Sequence, residues 1–387
     1  MNSKQFETAK MCLKVVTPIN ISDGIVLGAK DYLYDSRRQK VFFLNLHQWH
    51  MFIYKHMLLE KYESYLANFR DKQSLLEWLQ MQGYDIDDVR TVITSEAQAT
   101  VNLMDNEKKK TLNDINRHIQ QPEGSLYVPG SSIKGVFRTA ILYSLLQKRQ
   151  DIKVKYWRQI QEKISSNYFK PYRDFNKLIS DLENEFLHTL RLVDGNTRSN
   201  NAVCSAMRGL QVSDTYASRN MQTAILQKVD GGFDKFGKAS PKKLPIFREC
   251  MLPKAELFFD VKIEKAVMST IGINTVDDLL KATHSFFAAV TDLLQQAFEK
   301  EYQEAFQGVA AGNMFLGGNT GFLSKTLLAM LAPDKDTAKN TIKVLLDKSF
   351  KTHKHLLRDK VIAPRTLKCT NYNGKLMLMG VAEVRKV

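Results

Sequence analysis

Residues 127–146, YVPGSSIKGVFRTAILYSLL, decide how this chain is read. An apolar start breaks at Pro129 and Gly130, two serines follow, and Ile133, Val136, Phe137, Ala140, Ile141, Ser144 and Leu145 then recur at i, i+3, i+4 and i+7. That spacing predicts an amphipathic helix lying on a sheet, with Ser131 or Ser132 as its cap. Glycine lets a backbone approach a ligand closely, and the free N–H groups of a helix start attract anions. PGSSIKG is therefore a candidate phosphate cradle as well as an ordinary strand-to-helix junction.

A second stretch of the same kind, FLGGNTGFLSKTLLAML at 315–331, reads as another glycine turn followed by a helix. Lys134 and Arg138 lie one helical turn apart behind the first turn, and Lys325 follows the second, so cations stand ready for a phosphate backbone. The hydroxyls of Ser131, Ser132, Thr320 and Ser324 are candidate donors to phosphate or ribose. Neither turn has the G-x-x-x-x-G-K-[ST] spacing of a nucleotide-hydrolysing loop.

Around these two elements the chain reads as mixed. Strand patterns appear at 11–19, 41–46, 209–214 and 255–263, and helical spacing covers 50–79, 151–192 and 275–308. The polar segment 85–121 is also read as mostly helical, VDGNTRSNN at 193–201 as a linker, and Asn373-Gly374 as a two-residue hairpin turn. One glycine-turn-to-helix element per half suggests an internally duplicated α+β chain. The expected division is 1–200, with a helical insertion at about 50–120, and 201–387, with a basic loop at about 228–254.

Composition narrows the function. The chain has 387 residues, with 56 Lys plus Arg against 41 Asp plus Glu, a formal charge of +15 that favours a polyanionic partner, nucleic acid above all. Lys228–Lys254 holds seven Lys/Arg against three acids, interleaved with Phe233, Phe236 and Phe247. Lys235, Lys242, Lys243 and Arg248 of this loop are candidate RNA contacts, its aromatics are candidates to stack on unpaired bases, and a disordered surface loop is the competing reading. A further six Lys/Arg and two His face one acid between Lys351 and Lys368. The 4 cysteines are scattered singly, so neither a disulfide framework, a metal site nor a cofactor is expected. No apolar run is long enough for a membrane span, and a soluble, cytoplasmic chain is expected.

Catalytic chemistry is harder to locate. His47 and His50 at i, i+3, with His56 nearby, lack an acidic partner at metal-ligand spacing. His353 and His355 sit in the basic stretch as candidate phosphate contacts. Asp31 and Asp35 flank two tyrosines; a general base or metal-assisted role competes there with plain strand-edge solvation.

VPGSSIKGVFRTAIL resembles the signature of the RAMP superfamily of CRISPR proteins. With TPINISDG (17–24), DYLYD (31–35), VFFLNLHQW (41–49), LPIFRECMLP (244–253), GGNTGFLSKT (317–326) and RTLKCTNYNGKLMLMG (365–380), the order of landmarks is similar to the end-capping subunits of type III-A Csm complexes. The resemblance implies two tandem ferredoxin-like, RNA-recognition-type RAMP domains with helical insertions. It also implies a non-catalytic subunit that caps the 3′ side of the CRISPR RNA filament and serves guide maturation and antiviral defence. The partners implied are the CRISPR RNA, the repeating RAMP backbone subunit and the small subunit of the complex, with no membrane. Gly130, Ser131, Ser132, Lys134, Arg138, Gly317, Gly318, Asn319, Gly321 and Lys325 are the residues expected to hold RNA backbone. In that family cutting belongs to the repeating subunit, which carries an aspartate in its early loop. Asp31 lies at a comparable place, but DYLYD departs from that glycine-rich loop, and a RAMP-type endoribonuclease remains the alternative.

Overall fold

The computed structural model describes residues 5–68, 73–100, 112, 114–166, 168–191, 201–217 and 221–387. The chain is α+β, as expected, and built on two sheets. The first sheet has the order Met314–Phe315, Val381–Lys386, Phe6–Val15, Glu256–Glu264, Leu210–Val212, with Tyr216–Ala217 also on Glu256–Glu264. All its pairings are antiparallel. Alternation explains its layering: Met11, Leu13 and Val15 of one central strand and Leu257, Phe259, Val261 and Ile263 of the other point into the core. Two helices cover that inner face. Gly130–Lys148 contributes Ile133, Phe137, Ala140 and Ile141, all fully buried, as its spacing requires. Val276–Tyr302 starts on a capping box, in which the Thr275 and Asp278 side chains each accept from the other's backbone N–H, and buries Leu279, Phe286 and Val290.

The second sheet runs Ser22–Leu27, Ile115–His118, Lys242–Met251, Thr223–Gly231, Ile93–Thr100, Lys40–Leu44, Tyr32–Asp35. The C-terminal hairpin Leu367–Tyr372 and Lys375–Leu378 also pairs with Thr223–Gly231, turning at Asn373 and Gly374 as the sequence indicates. Both sheets draw strands from both halves of the chain. The expected linker at 193–201 lies outside the described residues save for Asn201.

Several expectations are corrected. Residues Ile93–Thr100 and Ile115–His118, read as helical, are strands, and Ala97 and Ala99 alternate inward from the first of them. The helical insertion is instead Leu46–Lys55, Leu59–Ala67 and Leu75–Met81, around an aromatic core that includes Trp49, Tyr62, Tyr65 and Trp78. Residues 101–111 of it lie outside the described residues. The basic loop is no disordered segment but the end of a long hairpin formed by Thr223–Gly231 and Lys242–Met251. The helix expected directly after the second glycine turn, within 315–331, is not sustained: Leu323–Lys325 is a single 3₁₀ turn and Leu328–Leu331 a single α turn, and a long helix begins only at Lys335–Ser349.

Candidate nucleic-acid interface

The first glycine turn is occupied by the protein itself. Gly130 is the first residue of its helix and is buried, and its amide donates to Asp214 Oδ1 at 2.7 Å. The anion that a helix start attracts is thus a carboxylate of this chain. The glycine is required because a Cβ there would stand 2.3 Å from Val212 O and 2.6 Å from Ser213 O. Ser131 and Ser132 lie inside the first turn, and the capping position is Pro129, which corrects the expected cap. Lys134 Nζ donates to Leu210 O at 2.6 Å, and burial lowers its pKa. Arg138 stands 3.7 Å from Glu183. Polar groups expected to face RNA therefore hold the helix to its neighbours.

At the second glycine turn, four stretches that are remote in sequence meet. Gly318 N donates to Asn20 O at 2.7 Å, Leu316 N to Gly380 O at 2.7 Å, and Gly380 N to Pro18 O at 2.9 Å. The fully buried Asn20 side chain donates to Glu249 O at 2.8 Å and accepts from Arg248 Nη1 at 3.0 Å. Thr320 and Ser324, expected as phosphate donors, are buried, and Ser324 Oγ donates back to Thr320 O at 3.1 Å. The half-buried amides of Asn319 and Gly321 have no acceptor among the described residues.

Cations surround this loop. Arg248 Nη1 would lie 3.2 Å from a Cβ on Gly318, and Lys368 Cγ 3.6 Å from one on Gly321. Burial lowers the Lys325 pKa, and the Arg248 guanidinium lowers it further. Lys228 is lowered by burial, then by Lys368, and also by Arg248, while burial lowers Arg248 itself. Asp230 pairs with two of the four, 2.9 Å from Lys368 Nζ and 3.8 Å from Lys228 Nζ, while Arg248 and Lys325 have no ion pair among the described residues. Partly desolvated lysines beside other cations gain from an added anion, so this node is chemically suited to a phosphate. Of the expected residues, the fold assembles Gly317, Gly318, Asn319, Gly321, Lys325 and Arg248 here. Sequence reading missed Asn20, Lys228 and Lys368 as members of one site.

Lys235, Lys242 and Lys243 lie apart, towards the hairpin end. Asp234 Oδ1 accepts from Phe236 N at 2.8 Å and Lys238 N at 2.9 Å, a tight turn that leaves Phe236 76% exposed with Lys235 Nζ 4.9 Å from its ring centre. The other two aromatics are corrected. Phe233 stacks on Phe298 at 5.4 Å and Phe247 is buried, so neither is available to a base. His355 is buried too, with Nδ1 2.8 Å from Asp359 Oδ2, which corrects its expected phosphate contact. Asp31 Oδ2 accepts from Gly28 N at 2.7 Å, and Asp35 Oδ1 from Arg37 N and Arg38 N. Both carboxylates close local turns.

Such a two-sheet chain with a clamped glycine loop is matched by the RAMP superfamily profile over residues 12–322, and the chain belongs to that superfamily. Within it, the resemblance to Csm5 proteins runs nearly end to end. The CRISPR system Cms protein Csm5 of Mycobacterium tuberculosis (strain ATCC 25618 / H37Rv) is 26% identical, covering 98% of this chain and 97% of the relative. The protein of the same name from Enterococcus italicus is 22% identical over 88% of this chain and 85% of its own. A chain in the cryo-EM structure of a type III-A Csm–crRNA–target RNA ternary complex superposes with a TM-score of 0.66, 19% identity and coverage of 98% and 100%. The crystal structure of T. onnurineus Csm5 gives 0.61 at 19% identity, covering 96% and 99%. Among the described residues no helix is long and apolar enough to cross a membrane.

Proposed function

We propose that this chain is the Csm5-type subunit of a type III-A Csm effector complex and binds CRISPR RNA without cutting it. It holds the guide near its 3′ end, beside the repeating RAMP backbone subunit and the small subunit, and serves guide maturation. The observation that carries this reading is the node of Arg248, Lys325, Lys228 and Lys368 around the Gly317–Gly321 loop, in which Asp230 pairs with Lys228 and Lys368 only. The engagement of Asp31 and Asp35 in turns supports binding over cleavage.

Fluorescence anisotropy with a labelled guide over a salt series tests it. Each phosphate contact on a single strand contributes about 0.7 to the slope of log affinity against log salt. Lys325→Ala with Lys368→Ala is expected to reduce the slope by about 1.4 and the affinity about tenfold at moderate salt. Arg138→Ala, whose partner is Glu183, is expected to change neither. An unaltered slope in the double variant removes the node from the RNA path. Release of shortened RNA by the wild type, abolished by Asp31→Ala, establishes the endoribonuclease reading instead.

A further inference from the structure

The first sheet has a second face that the helices do not cover. Along it, Thr8, Lys10, Gln211, Ser213, Asp260 and Lys262 line a trough of about 570 Å³. Aromatic rings stand towards its two ends. At one, Tyr216, 45% exposed, lies 6.1 Å from Phe258, with Lys10 Nζ 5.5 Å from the Tyr216 ring centre. At the other, Lys262 Nζ lies 4.2 Å from the Phe6 ring centre. Phe6 and Phe258 project from the two central strands; the latter is opposite Cys12, six residues from Phe6, a span of about 20 Å at strand rise.

We propose that this face is a stacking platform for single-stranded RNA, separate from the phosphate node and resting on the reading of the chain as an RNA binder. Rings flanked by ammonium groups fit bases on an apolar face and phosphates beside it. Between the rings Lys10, Asp260 and Lys262 bring charge to a lining that Ala9, Val212 and Val261 complete, and that mixture of ammonium groups and apolar surface suits a nucleotide strand better than an apolar protein surface. Asp260, opposite Lys10 in the strand register, is the acid between the two lysines and a ready acceptor for a base amine. A second, larger cleft lies near the Tyr216 end. Tyr216 and Thr215 border this separate cleft of about 1340 Å³, whose lining includes Gln121, Tyr127 and Arg117. Arg117 Nε lies 3.3 Å from Glu249 Oε2, and Glu249 O accepts from Asn20 of the node, so buried contacts tie the wall of this cleft to the phosphate site.

The full-length protein with fluorescein-labelled single-stranded oligouridine supplies the test. Tyr216→Ala is expected to weaken binding about tenfold with an unchanged salt slope, because stacking releases no counterions. Tyr216→Trp should retain affinity, whereas Tyr216→Leu, which keeps apolar bulk, should not. Lys10→Ala with Lys262→Ala should reduce the slope by about 1.4. If Lys325→Ala weakens binding while the Tyr216 variants match the wild type, the platform is refuted and the RNA-binding reading stands. If the wild type does not bind, or if no variant at either site has an effect, both fall. Loss of assembly with the other subunits at unaltered RNA affinity assigns the face to protein and overturns the platform.

Discussion

Gly317→Ala is expected to destabilise the protein by about 4 kcal/mol, a large share of the roughly 5–15 kcal/mol that holds a typical domain together. Two costs combine. Gly317 has φ +90°, where an L side chain is strained by about 1–2 kcal/mol. An added Cβ would also lie 2.3 Å from Asn20 O, a backbone atom that cannot swing aside. Moving it breaks the 2.7 Å bond from Gly318 N and disturbs the bonds of the buried Asn20 side chain to Glu249 O and Arg248 Nη1. Each of these is worth about 1 kcal/mol when made and more when left unmatched. Gly124→Ala is the control: φ is +88°, yet nothing lies within 4 Å of the added Cβ, so strain acts alone. Urea unfolding midpoints separate the two. Equal losses at both positions would show that the node is not tightly clamped at Gly317.

The same node marks the limit of what the sequence could reveal. Periodicity is local, and local features were legible: the buried face of Gly130–Lys148, the alternation of the strand Glu256–Glu264, the turn at Asn373-Gly374. The glycine turns were legible as places of close approach, but not what approaches them. At Gly130 it is the backbone of Val212 and Ser213, and the expected anion is Asp214, 84 residues away. Asn20 lies in TPINISDG, a stretch legible as a landmark but not as part of a site; it matters because Glu249, 229 residues on, and Gly318 fold against it. Phe233 and Phe247 looked like Phe236 because all three sit among lysines. Phe298 and Tyr302, distant in the chain, bury Phe233 and leave Phe236 outside. The segment Ile93–Thr100 was misread because its small and polar residues carry little hydrophobic contrast; its pairing with Lys40–Leu44 and Thr223–Gly231 decides its state.

Beside the node, His118 makes stability depend on pH, with an expected loss of about 3 kcal/mol between pH 7 and pH 4. The ring is fully buried, Nδ1 lies 2.9 Å from Ile119 O, and Nε2 has no partner among the described residues. Burial disfavours the imidazolium and lowers the pKa from 6.5 to about 4. Between those values the unfolded chain binds a proton that the folded chain refuses, so stability is complete above pH 6.5 and falls as the pH drops towards 4. Glu249 works in the other direction. Its pKa is raised by burial, against the pull of Arg117, so the folded state takes up its proton earlier and gains from acid. A direct acid titration of the wild type mixes the two. The difference between wild type and His118→Leu isolates the histidine, because Glu249 is common to both. That difference should move against the wild type by about 3 kcal/mol from pH 7 to pH 4, read from urea midpoints at each pH, while the loss of the Ile119 O contact enters as a constant offset. A difference that stays constant across the range would mean that His118 is as easily protonated in the folded protein as in the unfolded chain.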